Sequence, residues 1–216
     1  MSRGPGRFIV LEGLDGAGTT TQAGLLLERL RAAGRKTHLT AEPSGGPVGA
    51  LLRQVLRRRV NGGSGEDFDP VALALLFAAD RLDHLSAEVL PRLASGVDVV
   101  SDRYALSSLA YQSLTTGDAA WVARINERAR SPDLTIFLRV GPRLALGRRR
   151  GAGTTPELYE VDAFQRRVAR SYERAVVALR ASGQRIEVLD GEQPVQAVAE
   201  AVGDLVDRLG ARTRRR

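Results

Sequence analysis

The segment Gly13-Leu-Asp-Gly-Ala-Gly-Thr-Thr20 constrains this chain more than any other. It follows the apolar run Phe8-Ile-Val-Leu-Glu12, which has the composition of a buried strand. It leads into Thr21-Gln-Ala-Gly-Leu-Leu-Leu-Glu-Arg-Leu30, which has helix-forming composition. Strand, glycine loop and helix together make the context that cradles a phosphate. Glycines at 13, 16 and 18 let backbone N–H groups point inward, and the helix presents its positive end to the same anion. Thr20 stands where the pattern G-x-x-x-x-G-K-[ST] places a Mg²⁺-ligating hydroxyl, but position 19, where that pattern has lysine, is Thr19. Without its lysine, such a loop also reads as a tight turn in an α/β domain that binds no nucleotide, so the rest of the chain must decide.

The remaining elements follow in strand–helix alternation. Strands are expected at Lys36–Ala41, Val97–Ser101, Leu134–Val140 and Arg185–Leu189. Helices are expected at Val48–Val60, Pro70 to about Leu93 with a kink at Pro91, Leu106–Leu114, a segment capped by Asp118, Pro142–Arg150, Glu160–Ala181 and Val195–Leu209. Gly34 reads as a helix stop, Asn61–Asp67 as a surface loop and Gly151–Pro156 as a break before the long helix. Five strands separated by helices predict an α/β fold with a parallel sheet, helices on both faces and right-handed crossovers, within a single domain spanning 1–216. On such a sheet ligands lie beyond the carboxyl ends of the strands, which gathers Gly13 to Thr20, Glu42, Asp102, Arg103 and Asp190 at one edge.

Bulk composition narrows the class. A hydrophobic content of 43% and a charged content of 26% are those of a globular protein. The most apolar stretch, Val71 to Ala79, is stopped by Asp80 and Arg81, short of a membrane span. No signal-like segment follows the first residues, and the absence of cysteine excludes disulfides and thiolate chemistry. A cytoplasmic location is therefore expected. The net charge of +7 suits an enzyme that handles polyanionic small molecules or a nucleic-acid binder. Arg57-Arg58-Arg59 and the tail Arg212–Arg216 lack interleaved aromatics and read as solvated surface, so a nucleic-acid partner is not expected. Lys36 is the one lysine.

Several side-chain sets carry candidate chemistry. Phe77 and Arg81, four apart on one helix face, pair a ring that can stack on a flat ligand with a guanidinium that can bond its edge. Taken singly, they read as a core ring and a surface or salt-bridging arginine. Ser108, Tyr111 and Gln112 line another face at i, i+3 and i+4, which also suits a half-exposed helix. Asp102 and Arg103 at a strand end could hold metal and phosphate or simply each other. Asp15 and Glu42 could serve a sugar hydroxyl, a metal-bound water or a phosphate-binding arginine, or shape their turns. His38 and His84 show no partner at a suggestive spacing and receive no role.

In order along the chain, Phe8-Ile-Val-Leu-Glu-Gly-Leu-Asp-Gly-Ala-Gly, Glu42-Pro-Ser-Gly-Gly, Leu76-Phe-Ala-Ala-Asp-Arg81, Asp102-Arg-Tyr-Ala-Leu-Ser-Ser-Leu-Ala-Tyr-Gln112 and Pro132-Asp-Leu-Thr-Ile-Phe-Leu138 resemble the bacterial thymidylate kinases. The resemblance implies a P-loop nucleoside-monophosphate-kinase-like fold, a short lid at about 148–160, a homodimer, and transfer of the γ-phosphoryl of ATP to dTMP, toward dTTP. It implies ATP on Gly13, Leu14, Asp15, Gly16, Ala17, Gly18, Thr19, Thr20 and Thr21, with Mg²⁺ near Thr20 and Asp102. Adenine would lie between the Arg148–Arg150 region and the loop after Asp190. Phe77 would stack on thymine, with Arg81, Ser108 and Gln112 on its polar edge and Tyr111 against the sugar 2′ position. Arg53 and Arg103 would hold the monophosphate, Glu42 would order that cluster, Ser107 would stand beside it, and Asp15 would approach the 3′-hydroxyl and the metal side.

Three positions depart from the family pattern, all by loss of a cation: Thr19, Ala41 before Glu42-Pro43, and Leu158 ahead of Glu160. Arg148, Arg149 and Arg150, at the root of the lid, are the expected replacements. A nucleotide-binding protein with weak or absent phosphoryl transfer is the alternative that these losses favour.

Overall fold

The computed structural model describes residues 5–63, 65–151 and 162–213. Its centre is a five-stranded, wholly parallel sheet of β1 (Phe8–Gly13), β2 (Thr37–Ala41), β3 (Asp98–Asp102), β4 (Leu134–Arg139) and β5 (Ile186–Asp190). The strand order is β2-β3-β1-β4-β5, and the parallel sheet is the one that the strand–helix alternation predicts. Side chains alternate across it. Ile9 and Leu11 share an apolar cluster with Ala23, Leu26 and Leu30 of α1 (Thr19–Ala32) and with Val198, Val202 and Val206 of α9 (Val195–Thr213). Phe8 and Val10 instead meet Leu85, Val89 and Leu93 on the other face. That face also carries α5 (Ala105–Thr116) and α8 (Asp162–Ala181), where Tyr172 stacks on Phe137 with ring centroids 5.1 Å apart.

The register brings the strand ends level. Leu11 pairs with Asp102, Ala41 with Asp102, and Arg139 with Asp190, so the last residues of all five strands form one rim. Above it stand α2 (Pro47–Leu56), α3 (Pro70–His84), α6 (Ala119–Ile125) and α7 (Pro142–Gly151).

Most elements fall within a few residues of the sequence reading, and three of the differences have a physical cause. Helix α1 starts at Thr19, not Thr21, because Gly18 takes the left-handed conformation (φ 93°) and serves as its N-cap. Helix α2 ends at Leu56, and Arg58 sits at φ 52° where a continuous helix to Val60 was expected. The disturbance expected at Pro91 lies one turn earlier: Leu85–Val89 is a π-helical turn in which the Leu90 N–H bonds the Leu85 carbonyl, before α4 (Leu90–Ala94). Pro91 supplies no N–H to the preceding turn, and the Arg92 side chain bonds the Glu88 carbonyl there at 2.9 Å. The expected Asp118 cap forms, accepting from the Trp121 N–H at 2.8 Å. The expected break at Gly151–Pro156, and the start of the long helix at Glu160, fall largely on 152–161, outside the described residues.

Candidate active site

Beyond the end of β1 the chain turns through Leu14 to Gly18 and wraps a cavity of about 510 Å³. Asp15 through Gln22 form one side, and Arg103, Arg148, Arg149, Gly191, Gln193, Val195 and Val198 complete it. Gly16 is required twice over: its φ is +87°, and a Cβ there would stand 2.2 Å from the Ala145 carbonyl oxygen. Leu14 points away from the cavity into the core, 2% exposed. Thr19 is buried but still reaches the cavity wall. The Thr20 hydroxyl donates to Asp102 Oδ2, while Asp102 Oδ1 is buried with no hydrogen-bond partner among the described residues. Two hard oxygens side by side, one with unused acceptor capacity, are what a small divalent cation takes. The Arg148 Nη1 donates to the Gly191 carbonyl at 2.9 Å, tying α7 to the turn after β5.

A second cavity, about 120 Å³, opens between α3 and α5. Phe77, Leu56 and Pro43 supply its apolar surface, and Glu42, Arg81, Ser107, Ser108, Tyr111 and Gln112 its polar surface. Arg81 is 1% exposed, and its charge is matched from three directions. Nη2 lies 2.7 Å from Glu42 Oε2 and donates to Ser108 Oγ at 3.1 Å, while Nη1 donates to Asn126 Oδ1. Glu42 in turn meets His84 Nδ1 at 3.3 Å. Asp80 holds the loop after β2, accepting from the Ser44 N–H at 2.8 Å and the Ser44 hydroxyl at 2.5 Å. Arg53 stands apart from this cavity: its Nη1 donates to the Pro43 and Ser44 carbonyls, and it lines a separate groove with Gln54, Arg57 and Arg59.

Asp15 and Arg103 line both cavities. They form an ion pair with each other, and Asp15 Oδ2 also lies 3.3 Å from Arg149 Nη1 and accepts from the Tyr111 hydroxyl at 3.2 Å. Arg103 has φ 74°, an unusual backbone for a side chain with a Cβ. Its Nη1 donates to the Gly13 carbonyl at 3.1 Å and to Ser107 Oγ and Tyr172 Oη at 3.2 Å each. Burial opposes its charge, but Asp15, the phenols of Tyr172 and Tyr111, and Asp102 outweigh burial and hold the guanidinium well above its ordinary value. A wall made of one cation and one anion, flanked by a phosphate-cradling loop on one side and a ring-and-arginine slot on the other, is suited to moving a phosphoryl group from one bound molecule to another.

The thymidylate kinase family model matches residues 11–202. The chain belongs to this family. It is 38% identical over 202 residues to the probable thymidylate kinase of Pyrobaculum aerophilum, covering 94% of this chain and 97% of that one. It is 39% identical over 214 residues to the thymidylate kinase of Thermomicrobium roseum, covering 96% and 98%. The thymidylate kinase of Thiobacillus denitrificans is 38% identical over 214 residues, covering 95% and 98%. Thymidylate kinases are kinases, so the phosphate cradle and the slot beside it belong to an enzyme.

For this family member, the structure gathers most of the residues singled out by sequence around the two cavities. Arg150 has no described side chain, and Leu158 and Glu160 lie outside the described residues. Among the described residues no helix is long and apolar enough to cross a membrane.

Several residues that shape the site were passed over. His84 and His38, given no role, do meet acids: Glu42 at 3.3 Å and, one helical turn on, Glu88 at 3.9 Å for His84, and Glu88 at 2.7 Å for His38. Asn126 and Tyr172 come from segments with no motif. Glu12 was read as the last residue of a strand, yet it is fully buried, and burial raises its carboxyl to about 7 despite hydrogen bonds from Ser107 and the charge of Arg103. An acid ending an otherwise apolar strand run, directly before the glycine loop, was the available signal.

Proposed function

We propose that this thymidylate kinase family member transfers the γ-phosphoryl of ATP to dTMP, giving ADP and dTDP on the way to dTTP. The observation that carries the reading is that the donor-sized cavity over the glycine loop and the smaller slot below Phe77 share the Asp15–Arg103 wall. The attacking oxygen belongs to a phosphate already ionised near neutral pH, so no general base is required, and catalysis is alignment plus charge neutralisation. Gly13 to Thr21 hold the triphosphate, and Arg103, Arg148, Arg149 and Arg150 neutralise charge on the transferred group. Phe77 stacks on the pyrimidine, Arg81, Ser108 and Gln112 face its polar edge, and Tyr111 crowds the position of a ribose 2′-hydroxyl. Glu42 holds Arg81 in place, Ser107 borders the acceptor phosphate, Arg53 braces the Pro43–Ser44 turn at the edge of the slot, and Asp15 approaches the acceptor sugar.

Thr20 and Asp102 would hold Mg²⁺, in keeping with the buried, unpartnered Asp102 Oδ1. The ion supplies positive charge to the phosphate oxygens when bound. Segment 148–160 acts as the lid of a single domain, and the protein works as a cytoplasmic homodimer of the bacterial type. Thr19 leaves the loop without an ammonium group, and arginines on the cavity wall compensate, which favours a competent enzyme over a nucleotide-binding protein with weak transfer.

A panel of nucleoside monophosphates with ATP and Mg²⁺, followed by coupled ADP release, tests this. ADP release dependent on dTMP, and weaker with dUMP and with the ribonucleotide, is expected. No acceptor-dependent release, or preference for a purine monophosphate, overturns it.

A further inference from the structure

The hydrogen bonds around Glu12 form a network that ends on the wall between the cavities. Glu12 Oε1 accepts from the backbone N–H groups of Tyr104 at 2.8 Å and Ser107 at 3.1 Å. Its Oε2 lies 2.5 Å from Ser107 Oγ and 3.4 Å from Tyr172 Oη. The two hydroxyls are 2.8 Å apart, and each accepts from Arg103 Nη1. Arginine donates only, and an ionised carboxylate accepts only. With Glu12 ionised, the Ser107 proton points to Glu12, leaving the Ser107 lone pairs to Arg103, and Tyr172 can satisfy the same order. If Oε2 carries a proton, it donates to Ser107 Oγ, whose own proton turns toward Tyr172. Ser107 then has one free lone pair rather than two, its proton competes with Arg103 Nη1 for the Tyr172 oxygen, and the carboxylate charge that faces Arg103 is gone.

We propose that Glu12 is a positioning residue for phosphoryl transfer: its ionised carboxylate, acting through the Ser107 hydroxyl, aims the Arg103 guanidinium that both cavities share. This rests on the kinase reading above. It touches neither nucleotide cavity itself, since Glu12 is fully buried and lines neither. The charged and titratable groups facing this network are Arg103 and Asp102 from the end of β3, Tyr104 and Tyr111 from the start and middle of α5, Tyr172 from α8, Asp15 from the glycine loop and Arg149 from α7. The tyrosines are pushed upward by burial, which keeps them neutral hydroxyls through the neutral range. Glu12 is the group of this set that burial brings to neutrality. Turnover is then highest when Glu12 is ionised and declines as it takes up a proton.

Glu12→Gln isolates the effect. A glutamine keeps the volume and one carbonyl oxygen for the two backbone N–H groups, but places an NH₂ donor against Ser107 and reverses that hydrogen bond. Ser107→Ala removes the link and leaves the carboxyl. With ATP and dTMP both saturating, kcat is measured between about pH 5.5 and 8.5 for the wild type and both variants, with KM for each nucleotide at the alkaline end. The wild type should lose turnover on an acid limb with an apparent ionisation of about 7, where burial holds the Glu12 carboxyl. Both variants should lack that limb and turn over roughly ten- to a hundred-fold more slowly at alkaline pH. For Glu12→Gln the KM values should change by no more than about three-fold, the loss falling on the transition state rather than on ground-state binding. Variants with wild-type kcat and the same acid limb overturn the proposal. Ser107 also lines the acceptor slot, so Ser107→Ala is judged on its pH profile alone: should Glu12→Gln not fold, an unchanged acid limb in Ser107→Ala overturns the proposal and its loss supports it. A wild type inactive with dTMP would instead count against the kinase reading, so the two failures are distinct.

Discussion

Asp15 divides its carboxylate between two guanidiniums: Oδ1 pairs with Arg103, and Oδ2 lies 3.3 Å from Arg149 Nη1. The first arginine belongs to the rim of the sheet and the second to α7, so the carboxylate bridges a fixed cation and one carried on the segment leading to 152–161. Replacement of Arg149 by alanine should lower kcat by about 10³, on the scale of a lost phosphate-neutralising arginine, with KM for dTMP changed by less than about three-fold. Arg148→Ala should act mainly on KM for ATP, since Arg148 ties α7 to the Gly191 carbonyl beside the donor cavity. Steady-state kinetics of the Arg148, Arg149 and Arg150 alanine variants check this, and unchanged turnover in all three would remove the arginines of α7 from the reaction.

Phe77 lies on the surface of the small cluster formed by Leu52, Val55 and Leu73 and lines the acceptor slot. Phe77→Ala should raise KM for dTMP by roughly 10- to 100-fold, as expected for loss of a stacking ring worth about 1–3 kcal/mol, while KM for ATP stays near its starting value. Calorimetric titration with dTMP gives the same comparison without turnover. Equal weakening of both nucleotides would contradict the assignment of the slot.

Position 19 offers a gain-of-function test. Thr19 starts α1 and lines the donor cavity but not the acceptor slot. Thr19→Lys should raise kcat by about ten-fold or more by adding an ammonium beside the transferred group, and dTMP affinity should move by less than about two-fold. A large loss of dTMP binding would show that the two cavities are not separable.

Glu12 also sets a signature in stability. A glutamate that titrates at 4.5 when unfolded and at about 7 when folded is stabilised by the fold in its protonated form. Its contribution is fully present below 4.5 and is lost as pH rises through about 7. Relative to Glu12→Gln, the wild type should therefore lose up to about 3 kcal/mol across that window. Urea unfolding of both proteins at several pH values measures the difference, and parallel pH profiles would exclude a raised Glu12.

The glycine loop, the five strands and the cavity residues were legible because each is local: a run of apolar residues, a turn requiring glycine, or two side chains one helical turn apart. Phe77 with Arg81, and Ser108 with Gln112, need only the helical period to be placed together. Glu12, Tyr172 and Asn126 act through contacts spanning much of the chain, 160 residues in the case of Glu12 and Tyr172, and no spacing rule reaches that far. The same is true of His84 with Glu42, 42 residues apart in the chain. The π turn was misplaced by a few residues because a proline marks where an N–H is missing, not which preceding turn widens to absorb the loss.

The left-handed backbone of Arg103, at φ 74°, is held against its own preference. A side chain with a Cβ is strained there by about 1–2 kcal/mol, less than the about 3–5 kcal/mol that loss of one partner of a buried ion pair costs. Glycine at 103 would ease the backbone yet strand Asp15 and the Ser107 and Tyr172 hydroxyls, so heat selection and turnover both keep the arginine that partitions the two nucleotides.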